Sequence, residues 1–194
     1  MSGSIRAMIS DDDRVDDAGW AAAVRADLTR LAQALEHRYD AGEPVGRLAR
    51  ARVEAIDALV GRAFRRSLAD DPRRDDRFSL LATGGYGRGE LFPYSDVDLL
   101  VLTWDRLDDD DGERLSRLFT LLWDAGVPAS HAVRSLSQCR EAAADVTVMT
   151  ALLELRELAG RQGAAQELAA AVAPTRIWPA RDYFIAKREE QRLR

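Results

Sequence analysis

The chain has 194 residues, of which 28 are basic and 33 acidic, for a formal net charge of −5. That balance argues against a broad phosphate-binding surface, so DNA and RNA are not expected as partners, and no apolar run approaches the roughly 18 residues needed to span a bilayer. A single cysteine, Cys139, excludes an internal disulfide and suits the cytoplasm.

Residues 1–17 are polar and acidic and are expected to be disordered. They lack the basic start and apolar centre of a signal peptide, and the serine at position two gives no myristoylation signal. Residues 18–77 read as an N-terminal helical segment. Val24, Leu28, Leu31 and Leu35 recur at helical spacing from about Ala18 to Tyr39, ahead of Gly42 and Pro44. A second helix runs from about Gly46 to Leu68, with Val53, Ile56, Leu59, Val60 and Phe64 on one face; Arg62, Arg65 and Arg66 read as its solvated face. Ala69 to Arg77 is a linker by its proline and charges.

Two short apolar runs follow, Phe78 to Ala82 and a second after Pro93, each bounded by turn residues and each read as a strand. About a dozen residues join them, so the pair is either antiparallel or joined across one short helical turn. Trp104 to Glu113 reads as an acidic, solvated loop containing Asp108 to Asp111. A helix from about Gly112 to Ala125 closes at Gly126. Pro128 to Arg134 reads as a third strand. Ser135 and Gln138 have capping-box spacing for a helix through Ala144, and Asp145 caps another whose apolar positions, Val148, Leu152 and Leu155, continue to Gly160. Residues 161–194 read as a helical extension broken by Pro174 and Pro179.

The chemistry concentrates between Leu80 and Leu102. Thr83 and the pair Gly84-Gly85 end the first strand, and Ser95-Asp96-Val97-Asp98 opens the second. Strand side chains alternate, so Asp96 and Asp98 are expected on one face, with Val97 and Leu99 in the core. Two carboxylates held together repel unless a cation joins them, and hard oxygen ligands suit Mg²⁺. The glycines do not spell a Rossmann fingerprint, whose third glycine from Gly85 falls on Glu90, nor a Walker loop, because Glu90-Leu91 follows Gly89. Gly84 and Gly85 can bring backbone N–H groups close to phosphates, and Ser95 can donate to a phosphate oxygen. Arg88 pairs either with phosphate or with Glu90. Tyr86, Phe92 and Tyr94 read as packing around the loop, Cys139 as a buried apolar residue, and His37 and His131 as non-catalytic.

The run Gly84 to Leu100, GGYGRGELFPYSDVDLL, resembles the nucleotidyltransferase superfamily of DNA polymerase β. Within it, the run is most similar to the N-terminal nucleotidyltransferase domain of the bifunctional uridylyltransferase/uridylyl-removing enzymes of the PII protein. The segments His131 to Ser135, with Cys139 after them, and Asp145 to Gly160 share the likeness, which covers about Leu80 to Gly160 and, more loosely, Tyr183 to Gln191. The resemblance implies an α+β fold: a small mixed sheet of the polymerase β type, flanked by helices, with residues 78–160 as the core. It implies a Mg²⁺ site on Asp96 and Asp98, with Gly84, Gly85, Arg88 and Ser95 binding the nucleotide. The substrate would be UTP or ATP and the acceptor a tyrosine of the PII signal protein, with no nucleic acid or membrane involved. A third metal carboxylate is usual in the superfamily; Glu154 is the candidate here, unless the acid lies beyond Arg194. In full-length relatives, modifier removal and glutamine sensing belong to further domains, so this chain is expected to be the N-terminal piece of a longer enzyme and to do neither. The rivals are a nucleotidyltransferase with a small-molecule acceptor and a non-catalytic nucleotide- or partner-binding fragment.

Overall fold

The computed structural model describes residues 15–68 and 76–193. In chain order its elements are α1 (Asp17–Asp40), α2 (Val45–Leu68), β1 (Phe78–Ala82), α3 (Gly84–Gly87), β2 (Val97–Thr103), α4 (Asp109–Asp124), β3 (Ala129–Ser135), α5 (Leu136–Ala142), α6 (Val146–Leu152), β4 (Arg156–Gly160), α7 (Ala164–Ala171), α8 (Pro174–Ile177) and α9 (Ala180–Leu193). The class is α+β with a mixed four-stranded sheet, as expected. None of the described helices is long and apolar enough to cross a membrane.

The chain divides into two compact units. The first comprises Met1–Asp75, Gly89–Val97 and Leu107–Ser130. In it α1, α2 and α4 pack on one another. Trp20, Val24 and Leu31 of α1, Ile56, Leu59 and Phe64 of α2, and Leu118, Phe119 and Leu122 of α4 are all buried. Recurrence at close to the 3.6-residue helical period is what brings one apolar stripe of each helix inward. Asp17 ties the three helices together: its carboxylate accepts from Arg66 Nε at 2.9 Å and from Arg117 Nε at 2.7 Å. The acidic segment read as disordered up to residue 17 therefore already belongs to α1 where it is described: Asp16 caps the helix by accepting from the Gly19 amide at 2.8 Å. Residues 1–14, and most of the linker over residues 69–75, lie outside the described residues.

Two readings of this unit are corrected. The arginine face of α2 is not simply solvated, since Arg62 is buried and Arg66 pairs with Asp17. Asp108 to Asp111 are not a loop but the start of α4. Asp108 caps the helix, and the Asp108 and Asp111 side chains bond each other's backbone amides at 2.8 and 3.0 Å. Asp111 is fully buried in doing so. A run of acids reads as solvated by composition, but the helix N-terminus offers unpaired amides and a positive dipole end that recruit them.

The second unit comprises Asp76–Arg88, Asp98–Arg106 and His131–Arg194. It carries the sheet, whose strand order is β3-β2-β1-β4. β1 pairs antiparallel with β2, from Phe78 opposite Thr103 to Ala82 opposite Leu99. It pairs antiparallel with β4 on its other edge, with a bulge between Leu80 and Leu81. All five residues of β1 are buried, in keeping with a central strand whose run is apolar except for Ser79. Leu81, Leu100 and Leu102 from the sheet pack with Cys139, Ala143, Met149, Leu152 and Leu168 from α5, α6 and α7. α9 is fixed by Tyr183, whose hydroxyl lies 2.9 Å from Thr150 Oγ1 on α6.

Ser135 and Asp145 cap α5 and α6 as their spacing predicts. The continuation of α6 to Gly160 is wrong: the chain leaves the helix after Leu152 and Arg156–Gly160 forms β4. Gly160, at φ +91°, ends the strand where a Cβ would come within 2.2 Å of the Phe78 carbonyl oxygen. The free edge of β1 overrides the helical spacing of the leucines, because a strand partner saturates a buried row of backbone groups that a helix would leave unpaired.

Candidate functional site

Within the second unit β1 delivers the chain to a glycine turn beside β2. The Thr83 amide donates to the Asp98 carbonyl at 3.0 Å, extending the β1–β2 ladder by one bond. The backbone then turns through Gly84 at φ +57°, in the left-handed region that favours glycine. A Cβ built on Gly84 would sit 3.4 Å from Asp98 Oδ2. The missing side chain thus leaves the space between the turn backbone and the Asp98 carboxylate open on that side. Asp98 is half-buried while Val97 and Leu99 on either side are buried, as strand alternation requires.

The short helix α3, which includes Gly85, is held from below by the chain entering β4. A Cβ on Gly87 would lie 1.8 Å from the Glu154 carbonyl oxygen and 3.1 Å from that of Ala82, so only glycine fits between them. Tyr86 is buried, and the Arg156 guanidinium lies 5.2 Å above its ring. Arg156 Nη2 also donates to the Tyr86 carbonyl at 3.1 Å. Sequence reasoning missed Arg156 entirely; nothing local marks it, because its partner is 70 positions away. Arg88 pairs with the Glu154 carboxylate. The sequence offered Arg88 phosphate or Glu90 as a partner; the structure gives it the Glu154 carboxylate, an acid 66 positions away.

Gly84, Gly85, Arg88 and Asp98 fall in the second unit, whereas Ser95 and Asp96 belong to the Gly89–Val97 segment of the first. There the Ser95 amide closes a turn onto the Phe92 carbonyl at 3.0 Å. Asp96 is exposed and immediately precedes β2. Tyr86 packs as expected, but Phe92 and Tyr94 do not: they are 52% and 100% exposed. Cys139 is buried, and burial pushes its thiol up to about 11, which leaves it inert as a nucleophile. Among the described residues no group of three or more His, Cys, Asp and Glu side chains is arranged to hold a metal. Magnesium commonly takes only one or two protein carboxylates and fills its octahedron with substrate phosphates and water. An Asp98 carboxylate beside a side-chain-free turn fits that ion.

A family model described as "Putative nucleotidyltransferase DUF294" matches residues 26–131. The bifunctional uridylyltransferase/uridylyl-removing enzyme of Xanthomonas oryzae pv. oryzae (strain MAFF 311018) is 52% identical over 174 residues, 90% of this chain and 20% of that protein. Its counterpart in Pseudomonas aeruginosa (strain LESB58) is 37% identical over 89% of this chain and 19% of that protein. The chain therefore spans about a fifth of the length of these curated relatives. A crystal structure of a toxin-antitoxin with AMP-PNP aligns at a TM-score of 0.38 and 18% identity, over 69% of this chain and 94% of that one. A likeness that slight carries no weight.

Proposed function

The chain belongs to the DUF294 nucleotidyltransferase family, and from that premise we propose that it transfers a uridylyl group from UTP, or an adenylyl group from ATP, to a tyrosine hydroxyl of a PII signal protein. The observation that carries this reading is the closeness of the Gly84 turn to the Asp98 carboxylate, which a Cβ on Gly84 would approach to 3.4 Å. The likeness to uridylyltransferases over 90% of the chain supports the choice of chemistry and acceptor.

In the reaction the acceptor oxygen forms a bond to the α-phosphorus, and the bond from that phosphorus to the bridging oxygen of pyrophosphate breaks. The hydroxyl proton leaves to solvent. Asp98 and Asp96 would hold Mg²⁺, which when bound supplies positive charge against the phosphate oxygens. Thr83 makes no side-chain cap to α3, so the first amides of the turn are left as donors for phosphate oxygens. Ser95 would add a hydroxyl to the same anion. Arg88 would move from Glu154 to the triphosphate, which makes Glu154 its resting partner rather than a third metal ligand. Little acid–base work is asked of the protein, since positioning and charge account for most of phosphoryl-transfer catalysis.

The test is label transfer from UTP or ATP to PII in the presence of Mg²⁺, using the chain and its Asp98→Asn variant. The expected result is labelled PII with a preference for one nucleotide. Removing the ligand charge should cost about 4 kcal/mol, on the order of a thousandfold in rate. Unchanged labelling by Asp98→Asn would sink the metal assignment. Tight triphosphate binding without product would identify a non-catalytic binding domain, and transfer to a small hydroxyl compound but not to PII would redirect the acceptor.

A further inference from the structure

The first unit contains a cleft of about 540 Å³ with Leu28, Ile56 and Val127 on its apolar wall and Arg25, Arg52 and Ser95 on its polar wall. Five arginines of this unit pair with acids: Arg30 with Asp27, Arg38 with Glu43, Arg66 and Arg117 with Asp17, and Arg114 with Asp110. The two in the cleft have no carboxylate partner among the described residues. Arg25 Nη1 donates to the Asp124 carbonyl at 2.6 Å, and Arg52 Nη2 to the Pro93 carbonyl at 3.2 Å. Arg52 Nε is buried and makes no hydrogen bond. Burial pulls the Arg52 pKa downward with no neighbouring acid to oppose it, yet a guanidinium does not give up its proton. A half-buried guanidinium without a counter-charge carries a desolvation cost that a bound anion would offset.

We propose that this cleft binds a small organic anion, a phosphate or carboxylate on an apolar body. The planar fork of Arg52, with Arg25 at the rim, receives the anionic head, and Leu28, Ile56 and Val127 cover the body. The site also has a route to the chemistry. Arg52 tethers Pro93, and Pro93, Tyr94 and Ser95 lead directly into Asp96. A ligand that takes the guanidinium competes with the Pro93 carbonyl and loosens the segment carrying Asp96, so occupancy should lower transfer. That coupling rests on the role proposed above for Asp96; the binding does not.

The binding test uses the full chain and phenyl phosphate as probe, with benzoate and inorganic phosphate alongside, followed by calorimetry and amide chemical shifts. Phenyl phosphate, benzoate or both should saturate one site and shift the Ser95 and Val127 amides, and the pair of probes tells which head group is preferred. Arg52→Gln and Arg25→Gln should each weaken binding at least tenfold. Arg25 is exposed, so its variant keeps the test decisive should Arg52→Gln not fold. Asp98→Asn should leave binding unchanged. Absence of saturable binding by either organic anion, equal binding by inorganic phosphate, indifference to both arginine variants, or loss in Asp98→Asn would each overturn the proposal. If phenyl phosphate binds but PII is never labelled, the functional reading fails and the cleft stands.

Discussion

At the scale of single residues, the glycines of the turn have separate jobs. Gly84 supplies a left-handed backbone and a bare surface against Asp98, whereas Gly87 makes room for the Glu154 backbone. Gly87→Ala must push aside main chain rather than a flexible side chain. It should destabilise the protein by about 1–3 kcal/mol or more, measured as a lower midpoint in urea. Arg88 and Glu154 make a partly exposed pair, with 45% and 27% of their side-chain surface accessible. Such a pair is worth at most about 1 kcal/mol. Glu154→Gln should therefore lower KM for the triphosphate by up to about fivefold at low salt, with kcat unchanged, if Arg88 reaches phosphate as proposed. A rise in KM would instead place Glu154 among the ligands of the substrate complex. Gly84, Gly85 and Asp98 were legible in the sequence as a spaced motif. Arg156 was not, because its contact with Tyr86 depends on how β4 docks beside β1.

At the scale of elements, α4 and α1 are governed by their ends. Asp111 is buried and closes the capping box with Asp108. Asp111→Ala should cost about 1–2 kcal/mol in unfolding free energy, near the upper part of the range for caps. Asp17 is held down to about 2, from an ordinary 3.8, chiefly by its hydrogen bonds from Arg117 and Arg66, with burial opposing them. A depressed carboxylate stabilises the fold only while ionised. Its contribution is complete above about pH 4 and disappears as the pH falls through about 2. Asp17→Asn should lower Tm at neutral pH, and the gap from the parent protein should close across that acid window; a gap independent of pH would assign Asp17 a packing role only. Both ends were misread from composition for the same reason. Aspartates look like solvent-facing charge until a helix terminus or a pair of arginines is placed beside them, and Arg117 is 100 positions from Asp17.

At the scale of the whole molecule, the proposed substrate complex should be visible in stability. Ligands that bind only the folded state add stability by mass action, about 2.7 kcal/mol at a hundredfold excess over Kd. Mg²⁺ with UTP or ATP should therefore raise Tm, chelation of the metal should abolish the rise, and Asp98→Asn should reduce it sharply. A rise that survives chelation would separate nucleotide binding from the metal. The extents of α1 and α2, the β1 and β2 runs, the caps of α5 and α6, and the spacing of the glycine–aspartate motif were all legible in the sequence alone, because each rests on interactions within a few residues: periodic burial, a cap, a turn. The tertiary structure alone decided that Arg156–Gly160 is a strand, that Arg88 meets Glu154, and that Arg52 lines a cleft without an acid. Those outcomes depend on which backbone edge or side chain a distant segment leaves unsatisfied, and no local pattern encodes that.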